Sequence, residues 1–327
     1  MASRQQARSA LIEVTSRTEI AYWRLVRALK RYQVNRESLE LARKQMELSE
    51  KQIKAGVLAP AAAIAAETTL AQRELQRIRS RKDVEVAQDA LRVVLNLPRT
   101  QWNRPLLPTD TPTFEPSELK AEQALELARH NRPEIHQRLL DIKRAEYDLR
   151  EAKNNRLPQI DLALSYSLIG QDTRYRETLN DIGEGAAPSW GVFVSLAWTP
   201  LGRSQRAAVG ISRANQRIAR AQHDQVIQTL YAEVREALRN LRSANRELIA
   251  SARFRKLAER SLDAEQRKFA AGTSSNYLVG ERSRSVAEAQ LAELDSLISH
   301  KTATLALERA TGQLLQSRNV ELTVGNS

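Results

Sequence analysis

The 327-residue sequence contains no cysteine. Neither a disulfide nor a thiolate metal site is therefore open to it, and the chain is indifferent to redox compartment. Glycine (11) and proline (10) are scarce, so breaks between elements are few. Aromatic residues make up 5%, few for a compact globular core. No run of about 18 apolar residues occurs, which excludes a transmembrane helix. The first residues, Met1-Ala2-Ser3-Arg4-Gln5-Gln6, lack the apolar centre of a signal peptide. Histidine is limited to His130, His136, His223 and His300, and the first pair is six residues apart. Ligands three or four apart would share a helix face; six does not, so these read as surface histidines. Gly183-Glu184-Gly185 lacks the Lys-Ser/Thr of a phosphate-binding loop. No triad, paired-acid or metal constellation emerges, so the chain is not expected to be an enzyme. No catalytic, cofactor-binding or metal residue is expected.

Charge is abundant but mixed. Lys plus Arg is 51 and Asp plus Glu is 39, a net charge of +12. Such a balance invites a nucleic-acid or anionic-membrane partner. Here, however, the charges lie along helices as mixed-sign neighbours, such as Arg43/Glu47 and Glu146/Arg150, with no block of one sign. That pattern suits solvated helix faces, and no nucleic-acid partner is expected. Ala, Leu, Arg, Glu, Gln and Lys dominate, the residues that lose least on entering a helix, and the composition reads as long helix or coiled coil.

Helical periodicity runs from about residue 8 to 54 and, after Gly56, from about 61 to 96. In the second stretch Leu75, Ile78, Val84, Ala87, Leu91 and Val94 share a face. Residues 98–118 hold Pro98, Pro105, Pro108, Pro112 and Pro116 and read as an irregular connector. A short helix is expected over about 119–130. Asn131-Arg132-Pro133-Glu134 then stops and restarts it, and the next helix runs to about Asn155. From Pro158 the period changes to two. Ile160, Leu162, Leu164, Tyr166 and Leu168 alternate with Asp161, Ala163, Ser165 and Ser167, and Trp190, Val192, Val194, Leu196 and Trp198 alternate with Gly191, Phe193, Ser195 and Ala197. Long helices over 204–269 and 277–314, broken at Gly272, complete the chain. The residues after Gln316 are expected to fray.

Displaced by 216 residues, the chain overlays itself. Leu25 falls on Leu241, Leu41-Ala42 on Leu257-Ala258, Ala55-Gly56 on Ala271-Gly272, and Ala90-Leu91 on Ala306-Leu307. The ungapped match of both interior glycines carries the repeat. The unit is long helix, glycine-marked turn, long helix. The domain reading is therefore a first repeat over 1–97, a connector over 98–118, a second repeat over 119–316 and a polar tail over 317–327. Within the second repeat lie helices over 119–155, a β-hairpin over 160–198, and the two long helices. In that second copy a strand pair precedes the helices. The corresponding pair of the first copy would fall before Met1, so the first repeat is expected to be N-terminally incomplete.

A strand of about nine to eleven tilted residues is long enough to cross a bilayer. Apolar-out, polar-in alternation with Trp and Tyr near the ends matches an outer-membrane barrel strand. One hairpin cannot close a barrel, so several chains would have to contribute. A hairpin packed on the helices in water is the alternative reading of the same pattern.

The sequence resembles the TolC-type outer membrane efflux proteins, also called outer membrane factors, over nearly its whole length. The resemblance rests on Arg132-Pro133-Glu134, Leu157-Pro158-Gln159-Ile160 and Leu196-Ala197-Trp198-Thr199-Pro200-Leu201. It rests also on Lys268-Phe269-Ala270-Ala271-Gly272-Thr273-Ser274 with its weaker partner Lys54-Ala55-Gly56. It implies a mainly α fold with a small β part, in which long antiparallel helical hairpins form an α-barrel across the periplasm. A β-hairpin from each protomer of a homotrimer joins one shared transmembrane β-barrel. The implied function is a passive outer-membrane channel for efflux or type I secretion. A periplasmic adaptor (membrane fusion protein) and an inner-membrane transporter of RND, ABC or MFS type would deliver substrates, with outer-membrane lipid around the barrel and no cofactor. The implied lipid-facing residues are Ile160, Leu162, Leu164, Tyr166, Leu168, Trp190, Val192, Val194, Leu196 and Trp198. The implied adaptor-docking and entrance residues are Gly56, Gly272, Thr273 and Glu281, with Leu278 where a further acid would be usual. The competing readings are a periplasmic adaptor, whose flanking β domains are missing here, and a coiled-coil scaffold or basic nucleic-acid binder without a barrel.

Overall fold

A computed structural model describes residues 2–56, 61–110, 119–168, 188–198 and 202–320. In chain order the elements are α1 (Ala2–Lys54), α2 (Ala61–Val94), a 3-10 turn (Arg99–Gln101), α3 (Ala121–Asn131) and α4 (Pro133–Asn154). There follow β1 (Gln159–Leu168), β2 (Pro188–Ala197), α5 (Arg203–Ala270), α6 (Asn276–Ala310) and the short α7 (Leu314–Ser317). The chain divides into two compact units. One comprises Met1–Ile135 with Val226–Ser327, the other His136–Gln225.

In the first unit α1 packs on α2 and on α6. No Pro or Gly interrupts α1, so its ladder runs unbroken until Gly56, whose φ of +71° turns the chain. Leu25 of α1 is fully buried and joins Ala21 and Leu91, with Val84, Ala87 and Val94 of α2 beside them. Trp23 and Val26 lie on a neighbouring stripe against Ile298 of α6, and Ile12 meets Leu305, Leu314 and Leu315. The largest cluster joins α3, α4, α5 and α6 through Ala124, Ala128, Ile135, Val234, Leu238, Leu241, Leu307 and Ala310. Alanines at the contact let helix axes approach closely while burying no polar group. Each fully buried Leu contributes about 1.5–3 kcal/mol.

The 216-residue displacement reappears in the helix ends. Lys54 and Ala270 end α1 and α5, and Val94 and Ala310 end α2 and α6. The left-handed residues that follow keep the same spacing: Gly56 with Gly272, and Asn96 with Gly312. The 3-10 turn Arg99–Gln101 falls on the last three residues of α7. The register thus extends beyond the stretch visible in the side chains, because an Asn and a Gly fill the same left-handed position.

Several expectations need correction. His300 is not a surface residue; it is 1% exposed, on the inner side of α6. The chain does not fray directly after Gln316. Arg318 forms ion pairs with Glu19 of α1 at 2.8 Å and Glu308 of α6 at 3.0 Å. The described part of the connector is irregular but tied down. Tyr22 donates to Asp110 at 2.6 Å, the buried Arg92 donates to the Arg104 carbonyl at 2.8 Å, and Leu106 joins the α1–α2 cluster. Arg43 pairs with Glu40 rather than Glu47, and Glu146 with Arg220 of α5 rather than Arg150. The shared face of α2 divides: Leu91 is buried, whereas Leu75 and Ile78 are exposed.

In the second unit β1 and β2 form an antiparallel two-stranded sheet. Its helical segments bury Ala145, Leu149, Val209 and Ala219. Trp198 lies one residue beyond β2.

Candidate functional site

The pairing register decides which strand residues act together. Ile160 faces Leu196, Leu162 faces Val194, Leu164 faces Val192, and Tyr166 faces Trp190. Because directly opposed residues point to the same side of a sheet, these eight form one apolar face. The opposite face carries Asp161 with Ser195, Ala163 with Phe193, Ser165 with Gly191, and Ser167 with Ser189. Phe193 is the exception on that side. A side chain at Gly191 would meet the Ser165 hydroxyl at 2.9 Å and the Phe193 ring at 3.0 Å, so glycine leaves room for that ring. The apolar face is uncovered, from 52% exposure at Val192 to 77% at Trp190. Both outer edges of the ribbon are without a partner strand among the described residues. A contiguous apolar surface of this kind marks contact with protein or membrane.

The second group lies where the long helices turn. After α5 the Gly272 amide donates to the Phe269 carbonyl at 3.0 Å and the Thr273 amide to the Lys268 carbonyl at 2.9 Å. This closes the helix end with glycine at the left-handed position. The Thr273 hydroxyl also donates to the Lys268 carbonyl, at 3.1 Å. Gly56 and Gly272 have open space where a side chain would go, so backbone conformation alone selects glycine there. Ser275 caps α6, its hydroxyl accepting from the Leu278 amide. Asn276 donates to the hydroxyl of the buried Ser49 at 2.5 Å, which ties the second turn to the end of α1 next to the first. Ser274 donates to the buried Glu265. Gly56, Gly272 and Thr273 are exposed at this end. Glu281 lies further into α6, half-buried, and pairs with Arg284 at 3.1 Å. Leu278 is exposed beside it.

Two clefts that the sequence did not suggest open between α1, α2 and α6. One, of about 310 Å³, is lined by Leu41, Ala42, Ala66, Val279 and Glu281, among others. The other, of about 370 Å³, is lined mostly by polar and charged residues, with Ala287 and Leu291 among them. Arg73 and Arg284 border both. No periodic signal marks this juxtaposition, because its members come from separate helices, α1, α2 and α6 with Gln266 of α5. Among the described residues no group of His, Asp and Glu could hold a metal ion, and no helix is long and apolar enough to cross a membrane.

A sequence family described as outer membrane efflux protein matches residues 124–313, more than half of the chain. No curated protein matches. Among solved structures, the chain is similar to a membrane protein from Pseudomonas aeruginosa at 22% identity and a TM-score of 0.78, covering 95% of this chain and 68% of that one. It is similar to the Campylobacter jejuni CmeC outer membrane channel at 17% identity and a TM-score of 0.79, covering 98% and 67%. It is similar to the outer membrane protein VceC from Vibrio cholerae at 16% identity and a TM-score of 0.79, covering 95% and 72%. At these identities the likeness is one of fold: long helical hairpins with a small β part.

Proposed function

The chain belongs to the outer membrane efflux protein family, and on that premise we propose that it is one protomer of a passive export duct, a homotrimer whose strands share a barrel in the outer membrane. The observation that carries this reading is the uncovered apolar face of the β1–β2 ribbon. In water that face has no partner. In lipid it has the right chemistry, and the strands of ten residues have the right length. The open edges of one ribbon are satisfied by ribbons of neighbouring protomers, since backbone groups in hydrocarbon must pair. Ile160, Leu162, Leu164, Tyr166, Leu168, Trp190, Val192, Val194, Leu196 and Trp198 then face lipid. The serines and Asp161 of the other face look into the lumen.

The helical part extends into the periplasm. The ends at Gly56, Gly272 and Thr273 meet a periplasmic adaptor, and Glu281 lies at the entrance. An inner-membrane transporter supplies the substrate and the energy, and the duct supplies neither bond-making nor a cofactor. Outer-membrane assembly of the full-length protein tests the reading. With Leu164→Asp and Val194→Asp together, the trimer is expected to vanish from the outer-membrane fraction, because a carboxylate on the lipid face is destabilising, though by less than the roughly 2–4 kcal/mol of a basic side chain at mid-bilayer, and two are introduced at once. Normal assembly of the double variant sinks the barrel assignment.

A further inference from the structure

We propose that the cleft between α1, α2 and α6 is an oxyanion-binding site, with Arg73 and Arg284 as its principal donors and Arg79 at its rim. The proposal is independent of whether the ribbon enters a membrane. The charged cleft of about 370 Å³ is bordered by Arg31, Arg73, Arg79 and Arg284, but by only two carboxylates, Asp83 and Glu288. The guanidinium groups are not equally committed. Arg31 is engaged with Asp295 at 2.9 Å, and Arg284 with Glu281 at 3.1 Å. Arg73 donates instead to the neutral amide of Gln76 at 3.0 Å, and no acid pairs with it among the described residues. Desolvation, and then the like charge of Arg284, hold its pKa below the usual guanidinium range despite Glu288 and Glu281 nearby. Two half-buried guanidinium groups therefore border one space, and of the two only Arg284 is held in an ion pair among the described residues.

Guanidinium groups are planar forks that match tetrahedral and carboxylate oxyanions, and they are weakly hydrated, so they surrender water readily to such a ligand. The volume falls at the lower end of the range of small-molecule sites. It accommodates an oxyanion with its remaining waters. The adjoining apolar cleft shares Arg73 and Arg284, so the anion can be a free inorganic ion or carry a short apolar substituent lying against Leu41 and Val279. Bound there, it bridges α1, α2 and α6 and neutralises the repulsion between Arg73 and Arg284.

The test is thermal unfolding of the detergent-solubilised full-length protein in sodium phosphate, sodium butyl phosphate or sodium chloride at equal ionic strength. A saturable rise in melting temperature is expected with both phosphates over chloride. Tighter binding of butyl phosphate would place the substituent in the apolar cleft, and equal or weaker binding would identify the ligand as the free ion. Arg73→Gln is expected to abolish the rise and, without phosphate, to melt no lower than the parent, because a like-charge contact is gone. Arg73→Lys keeps the charge without the fork and is expected to weaken binding by roughly tenfold. Should Arg73→Gln fail to fold, Arg79→Gln is expected to raise the apparent Kd with folding intact. The same rise in Arg73→Gln, a rise that never saturates, or an oligomer mass altered by Arg73→Gln at fixed phosphate would overturn the proposal. The last result would assign the arginines to a contact between copies.

Discussion

Gly272 and Gly312 have nearly the same φ, +73° and +72°, yet they are not equivalent positions. Around Gly272 there is open space, so Gly272→Ala costs only the left-handed conformation, about 1 kcal/mol. A Cβ at residue 312 would stand 2.8 Å from the Asn131 Cβ and 2.9 Å from its carbonyl carbon. Gly312→Ala must therefore also push the end of α3 away, and is expected to lose about 1–3 kcal/mol more than Gly272→Ala by denaturant titration. Equal losses would show that the contact with Asn131 is slack. Near that contact Arg132 reaches Glu134 and Glu233, both at 3.0 Å, and Pro133 behind it is fully buried. The Arg-Pro-Glu run was legible as a helix stop and restart. Its second task, clasping α5 through Glu233, was not, since the partner is a hundred residues away. Buried Arg92 and His300 were illegible for the same reason: a charged or titratable side chain looks solvated until the chain folds over it.

At the scale of elements, the strand pair was the most legible part. A two-residue period with one wholly apolar side fixes both extent and facing, and the observed strands begin within two residues of the expected ones. The apolar face of α2 was less so, because periodicity says which residues share a side and not how far a neighbour covers it. Leu75 and Ile78 continue the stripe of Val84 and Leu91 but stay exposed, with no cover among the described residues. The connector was legible only as a stretch too rich in proline to be helical. Its attachment through Tyr22 is a tertiary fact with a pH signature. Burial, reinforced by the hydrogen bond to Asp110, raises the Tyr22 pKa above 10. The neutral phenol is thus favoured in the folded chain. Its contribution is complete below the ordinary tyrosine range and is lost as pH rises through the raised value. An ultraviolet titration should show a component ionising above the ordinary tyrosine range, and Tyr22→Phe should remove it. Its persistence in the variant would assign it to another tyrosine.

For the molecule as a whole, the doubled design has a consequence for how it can be divided. The residues that α1 buries outside its own hairpin belong to the other copy: Trp23 and Val26 to Ile298, Ile12 to Leu305 and Leu314. Arg27 and Arg31 reach Asp295 at 2.7 and 2.9 Å, and Glu13 reaches Arg309 at 2.7 Å. Each copy therefore holds half of a shared interior. Residues 1–110 and 119–327, produced as two separate polypeptides, are expected to copurify as a stable pair, whereas each alone is expected to aggregate through its bared half. Independent folding of either piece would show that the interface is incidental. Complementation in trans is thus already latent in a single chain: the two copies bind one another as partners do, and the peptide that joins them sets their effective concentration.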